Sequence, residues 1–467
     1  MVIKRIGRSP GIGMLLFAFA FAVMADPVSS VAYAIEAALR ALHGDLALLV
    51  ATMGMVLGII SLVRLNYDQL IRRFPEGGGA VAATGAAFGE AWAFFPLGAL
   101  VVDFVLTVAI SVAAAASAVI AYFPSLAPFR TEIAVGLCCL VAALTWFGHL
   151  GRSVFAWMTV TFIAASVPVI VLGFLAPEHF GEAPLHGTGE STFATVLLAF
   201  PVAMALATGV EAPSSAIAQL GQLDDRGRER FGRTTLWLTF AIEGSLTIAL
   251  AMLAVHLRIG IPPPDSTLIA DIASASVGRG AWFAMFQFAS ALLLLAAASS
   301  SFQAGPGLLK ALARRVSRSG EPIGILHSAL GKTNMHHTPY WSVLVYLVSS
   351  TAVVVAAGGR DQELVLYYAV AVFVSFLSGL LAMTYFSRRE GNLWRAIVNL
   401  FGAGVVAFTI VVNLRRGYPI ASLGASIGVG GLFAWLWTRQ GRPRGIAQVE
   451  REMERELGEE REAEGTP

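Results

Sequence analysis

The sequence predicts an all-α polytopic membrane protein of about twelve transmembrane helices. Ten of them form a 5+5 inverted repeat in which helices 1 and 6 are broken. Three observations carry that expectation. Of the 467 residues, 56% are hydrophobic and only 13% charged, about half the charged share of a soluble domain. Apolar stretches long enough to cross a bilayer, about 20 residues each, follow one another along most of the chain. Two of those stretches, five spans apart, are interrupted by the same chemistry: Asp26-Pro27-Val28-Ser29-Ser30 and Glu211-Ala212-Pro213-Ser214-Ser215.

Taken in order, the spans fall at about 12–42 (interrupted), 46–63, 88–120, 131–149, 153–176, 192–220 (interrupted), 234–256, 281–312, 339–357, 363–386, 393–413 and 418–438. The third is long enough to tilt. Basic residues cluster after even-numbered spans: Arg64, Arg72 and Arg73, then Arg152, then Arg226 to Arg233, then Lys310 to Arg318, then Arg388 and Arg389. The opposite loops carry fewer, with Arg415-Arg416 as an exception. By the Lys/Arg bias both termini are expected in the cytoplasm of an integral cell membrane protein. Residues 1–438 then make one transmembrane domain, with repeat one at about 12–176, repeat two at about 192–386 and extra helices at about 393–438. Residues 439–467 make a short charged tail, in which Glu450 to Leu457 has opposite charges at helical spacing. Lys4, Arg5 and Arg8 flank the first span without a small-residue cleavage site, as expected of a membrane start, not a removed signal. Cys138 and Cys139 are adjacent in an apolar run and are expected as unpaired thiols.

The first interruption holds the most telling chemistry. A proline removes a backbone donor and clashes with the preceding turn. In hydrocarbon, broken backbone survives only where protein or a watery cavity satisfies it. A mid-span aspartate is costly and by default marks an ion or substrate path. Asp26 as a cap on the second half-helix is the structural alternative. Matched breaks in two halves point to a binding site at the midplane, where half-helix ends and unwound carbonyls meet a charged substrate. In the third span Asp103, Thr107 and Ser111 lie four residues apart on one helical face, a carboxylate and two hydroxyls able to offer hard oxygen ligands. The hydroxyls can equally bond their own backbone. Tyr33 and the Tyr367-Tyr368 pair add aromatic hydroxyls, for which an interfacial belt is the ordinary reading. Glu211 reads as a proton carrier or gate, or as a structural partner for unwound backbone. Glu36 is expected beyond the break, facing an outer vestibule. His149, His336 and His337 sit at loops. No motif for a nucleotide, a metal cofactor or a catalytic nucleophile stands out, so neither an enzyme nor a cofactor is expected. The net charge of +2 gives no sign of nucleic acid.

At these residues the sequence resembles the amino acid–polyamine–organocation superfamily of permeases over roughly residues 10–390. The likeness rests on the two broken helices and on Phe74-Pro75-Glu76-Gly77-Gly78-Gly79-Ala80. Within the superfamily it is most similar to the KimA-type potassium/proton symporters. The residues that carry this are Asp26 to Tyr33, Val102 to Val108, and Thr208-Gly209-Val210-Glu211-Ala212. The resemblance implies potassium ligands at Asp26, Tyr33, Asp103, Thr107, Ser111, Thr208 and Tyr368. It departs from those symporters at Phe104, where they carry tyrosine, and in the short tail. His337-Thr338-Pro339-Tyr340 looks more like an amino acid permease. Typical amino acid permeases have a glycine-rich first break that takes the substrate carboxylate, which Asp26 would repel.

The expected function is therefore secondary active transport, most of all proton-coupled uptake of potassium or another small cation, with Asp26, Asp103 and Glu211 as candidate proton carriers. An amino acid or polyamine permease on the same scaffold is the alternative. The lipid bilayer is the expected surrounding, and both a monomer and a homodimer are open.

Overall fold

A computed structural model describes residues 12–147, 152–187, 193–221, 223–316, 322–415, 417, 419–443, 445–449 and 455. The calls on Lys4, Arg5, Arg8, His149 and the charged helix at 450–457, Arg455 excepted, lie outside those residues. Among them, ten helices are long and apolar enough to cross a membrane, and shorter apolar helices accompany them. The first expected span is split into α1 (Ile12–Val23), α2 (Ala25–Ser29) and α3 (Val31–Ala41). There follow α4 (Leu46–Arg73), a short α5 (Gly79–Phe88), α6 (Glu90–Tyr122), α7 (Arg130–Trp146) and α8 (Arg152–Leu175). The sixth span is α9 (Phe193–Ala203), a 3-10 turn (Met204–Ala207), α10 (Ala212–Ala216) and a second 3-10 turn (Ile217–Gln219). Then come α11 (Asp225–His256), a short α12 (Leu268–Val277), α13 (Ala281–Leu312), α14 (Tyr340–Ala356), α15 (Asp361–Arg389), α16 (Leu393–Leu414) and α17 (Pro419–Arg439). The all-α expectation holds apart from a two-residue antiparallel ladder, β1 (Arg315–Val316) with β2 (Pro322–Ile323).

Equivalent spans of the two halves pack on one another: α4 on α11, α6 on α13, and α7 on α14. A two-fold relation between repeats produces that pairing. Burial sorts the scaffold from the rim. In the most apolar stretch of α6, 83% of residues are buried inside the protein, against 22% for the span ending at Trp146. The long apolar α6 and α13 thus form the post against which the interrupted spans lean, and α13 also packs on α2.

Two spans run further than expected. α4 continues to Arg73, so Arg64, Arg72 and Arg73 lie inside it. α11 starts at Asp225, so Arg226, Arg228, Arg230 and Arg233 lie inside its first turns. Charged residues end the apolar run well before they end the helix, because exposed ends are solvated or paired. Arg72 bonds Asp68 four residues back (2.9 Å), and Arg233 reaches the same carboxylate from α11 (2.7 Å). Beyond α17, residues Ile446–Gln448 form a 3-10 turn that returns to α5 and α6, with Ile446 buried and the Gly445 N–H donating to Glu90 (2.7 Å).

Candidate functional site at the paired interruptions

Both interrupted spans break where the prolines and carboxylates sit, but unequally. In the first, Met24 (φ −77°, ψ −5°) and Ser30 (φ −65°, ψ −23°) keep right-handed helical geometry. The helical bonds Val28 N–H to Met24 O (3.0 Å) and Ala34 N–H to Ser30 O (2.9 Å) run across the interruption. Pro27 has no N–H, so the Val23 carbonyl loses its donor. Two serine hydroxyls hold the turn: Ser29 donates to Asp26 O (2.7 Å) and Ser30 to Pro27 O (2.6 Å).

The second interruption is deep. After the 3-10 turn, Thr208 swings to ψ 133° and Gly209 takes φ +72°, a left-handed conformation that glycine adopts at little cost. The remaining turn bonds are long, with Thr208 N–H to Ala205 O and Val210 N–H to Ala207 O both at 3.4 Å. The helix restarts at Ala212, with the Glu211 carbonyl accepting from Ser214 N–H (2.9 Å) and the Ser214 hydroxyl (2.8 Å).

The two interruptions meet. A side chain at Gly209 would run into Asp26 Oδ2 (2.9 Å) and Pro27 Cδ (2.8 Å), so the aspartate carboxylate lies directly against the unwound backbone. Ser30 crosses to donate to Leu206 O (3.1 Å), and Tyr33 Oη donates to Thr208 Oγ1 (3.4 Å). The structure gives the Asp26 carboxylate no capping role. No side-chain cap is made at the start of α2, and Asp26 Oδ1 is buried without a partner among the described residues.

Around this core the other expected residues are placed as follows. Asp103, Thr107 and Ser111 stack along one buried face of α6, and Ser111 Oγ is buried without a partner among the described residues. The charge of Asp103 reaches Tyr33, as does that of Asp26. Glu211 is half-buried, and its charge reaches Asp26. Tyr368 lies in α15, but its side chain is outside the described residues. Its neighbour Tyr367 lines an apolar crevice of about 620 Å³ between α6, α14, α15 and α17.

Glu36 lies in α3, beyond the break, and is buried where the expectation had it facing an outer vestibule. It is 3% exposed and fully engaged, accepting from Arg40 Nε (2.8 Å) and from the N–H of Leu268 at the start of α12 (3.0 Å). It does border a polar cavity of about 650 Å³ that Arg40, Arg130, Arg360 and Asp361 also line. Arg40 and Arg130 donate to the carbonyls of Pro262 and Pro264, pinning the loop before α12 over this cavity. Gln362 on its floor donates to the Tyr33 carbonyl (3.4 Å), which links the cavity to the site.

Sequence reasoning passed over one pair. Arg64 on α4 and Glu243 on α11 are both fully buried and joined by a 2.5 Å bond, with Arg64 Nη1 also donating to Leu236 O (2.7 Å). The charge of Glu243 reaches Asp26 and that of Glu211 reaches Arg64. Glu243 stands in mid-span, where the argument used for Asp103 applies equally.

A family model described as amino acid permease matches residues 15–429. The potassium transporter KimA of Bacillus subtilis (strain 168) is 28% identical over 406 residues, covering 83% of this chain and 64% of that relative. The chain thus spans just under two thirds of that relative's length. The crystal structure of the Eremococcus coleocola manganese transporter in complex with an aromatic bis-isothiourea substituted compound matches with a TM-score of 0.51 at 12% identity, over 96% of this chain and 97% of that one. At that identity the likeness speaks for the fold alone. With the fold, the meeting of the interrupted helices and the near-full-length family match together, the chain belongs to the amino acid permease family of the amino acid–polyamine–organocation superfamily.

Proposed function

We propose that the chain is a secondary transporter that takes up a small monovalent cation, potassium in the first place, together with protons. The observation that carries this reading is the Asp26 carboxylate: held against the Gly209 turn with one buried oxygen unpartnered among the described residues, it favours a cation and repels a substrate carboxylate. Tyr33 and Thr208 supply neutral oxygens beside it, and Asp103, Thr107, Ser111 and Tyr368 complete the ligand set. Hard oxygen donors of this kind suit an alkali cation. A buried carboxylate is costly to keep ionised without a counter-charge, so each of Asp26, Asp103 and Glu211 is suited to take a proton when the cation leaves. The likeness to a potassium transporter supports the same reading. The Lys/Arg bias supports cytoplasmic termini.

The family description favours a second reading, an amino acid permease. The two separate in proteoliposomes loaded at alkaline pH and diluted into radioactive potassium. The cation reading expects saturable accumulation that a panel of amino acids does not reduce. Accumulation of an amino acid, with no potassium entering, would replace it by the second.

A further inference from the structure

The buried face of α11 carries Thr235, Thr239, Glu243 and Thr247, one every four residues and all with zero exposure. That spacing stacks them in a strip on the α4 side. None of the three hydroxyls, nor Glu243 Oε1, has a hydrogen-bond partner among the described residues. Most buried helical threonines elsewhere behave otherwise, although Thr84 Oγ1 is likewise without a partner among the described residues. Thr52, Thr145, Thr159, Thr384 and Thr409 each donate to the carbonyl four residues back, at 2.8–3.0 Å. That bond is open to any helical threonine, so its loss three times on one face belongs to the face. Opposite the strip, Arg64 bonds Glu243 and the Leu236 carbonyl but leaves Nε unpartnered among the described residues. Five polar atoms are thus left unsatisfied along about 18 Å of helix. Left so, they would cost on the order of a domain's whole stability. Water both donates and accepts, and it is the group that satisfies buried polar strips of this kind.

The strip has one open end. At one end Asp68 gathers Arg72, Arg233 (2.7 Å) and Trp237 (3.2 Å), with both arginines partly exposed. Past Thr247, the buried residues Leu250, Ala251, Leu253 and Ala254 are apolar and close it. α11 also packs on α2, which carries Asp26, and on α10, whose N-cap is Glu211.

We propose that the seam between α4 and α11 is a one-sided water file, strung on Thr235, Thr239, Glu243 and Thr247, that conducts the coupling proton between the cation site and the membrane face at Asp68. This inference rests on the proton-coupled reading above. A proton leaving the cation site is accepted by the first water. Each water or hydroxyl in turn accepts one proton and passes on its own. The last water releases a proton to bulk solvent beside Asp68. The Arg64 charge is offset by Glu243, so it does not bar the excess proton.

Two measurements test this. In a chain with Cys138 and Cys139 replaced by alanine, Thr239→Cys should react with silver ion at least tenfold faster than Leu250→Cys in the apolar plug. Equal rates would mean a dry seam and overturn the proposal. In proteoliposomes, Thr239→Val with Thr247→Val should lower proton-driven potassium uptake at least tenfold, leave potassium-for-potassium exchange within twofold, and regain uptake when serine replaces valine. Wild-type uptake in the valine variant would overturn the proposal. If that double variant does not fold, Thr239→Val and Thr239→Ser alone carry the same comparison. A wild-type protein that moves no cation would instead overturn the cation reading, and the silver comparison would still decide whether the seam is wet.

Discussion

The two interruptions look alike in sequence and differ in the fold. Each has a carboxylate, a proline and two serines. The first stays nearly helical, and the second unwinds through Thr208 and Gly209. A proline alone removes one bond and leaves the neighbouring φ and ψ in the helical region. A glycine at positive φ redirects the chain. The lesson is a difference in what each break exposes: the shallow break presents a side chain, Asp26, and the deep break presents the unwound backbone around Gly209 against which that side chain lies.

This comparison can be broken or sharpened by four substitutions. Gly209→Ala should act most strongly. A left-handed alanine costs about 1–2 kcal/mol, and its Cβ would displace Asp26 and Pro27. Misplacement by an ångström commonly costs about 100-fold in rate, so potassium uptake should fall by roughly that factor while the protein still folds. Next, Arg64→Met should destabilise by about 3–5 kcal/mol, because it strands a buried Glu243. Thermal unfolding in detergent measures this, and adding Glu243→Leu should recover most of the loss. Since α10 packs on both α4 and α11, the loosened brace should raise cysteine reactivity at the deep break more than at the shallow one. Ser30→Ala removes the bond from one break to the other at Leu206 and should cost about 0.6–1.7 kcal/mol by the same unfolding assay. Pro27→Ala should matter least, with less than about a threefold change in uptake, because it restores an N–H to a helix that is already nearly continuous. A Pro27→Ala effect as large as that of Gly209→Ala would mean that the shallow break is also a working hinge.

How much of this could be read from the chain depended on whether the signal was local. The spans, the two interruptions and the charge at Asp26 were legible because apolar length, proline and a mid-span carboxylate are each visible in one stretch. The approach of Tyr33 to Thr208 was expected from the family resemblance, not from spacing. The unequal depth of the breaks was not legible, since it turns on Gly209 adopting positive φ against Asp26, a contact 183 positions apart in the chain. Arg64 was misread as a flank of span two. An arginine at the end of an apolar run looks like a loop residue until its partner is known, and Glu243 lies on another helix. The four-residue recurrence of Thr235, Thr239, Glu243 and Thr247 was present in the sequence and could have flagged that face. The short α5 and α12 fell in stretches too brief to register as spans.

The central claim is that the Asp26 carboxylate, set against the Gly209 turn, binds the transported cation. Potassium uptake by Asp26→Asn in proteoliposomes tests it most directly, with thermal unfolding as a check on folding. The account predicts that uptake falls to background while the unfolding midpoint holds or rises, because a costly buried charge has been removed. Uptake at the wild-type rate by a fully folded Asp26→Asn protein would contradict it.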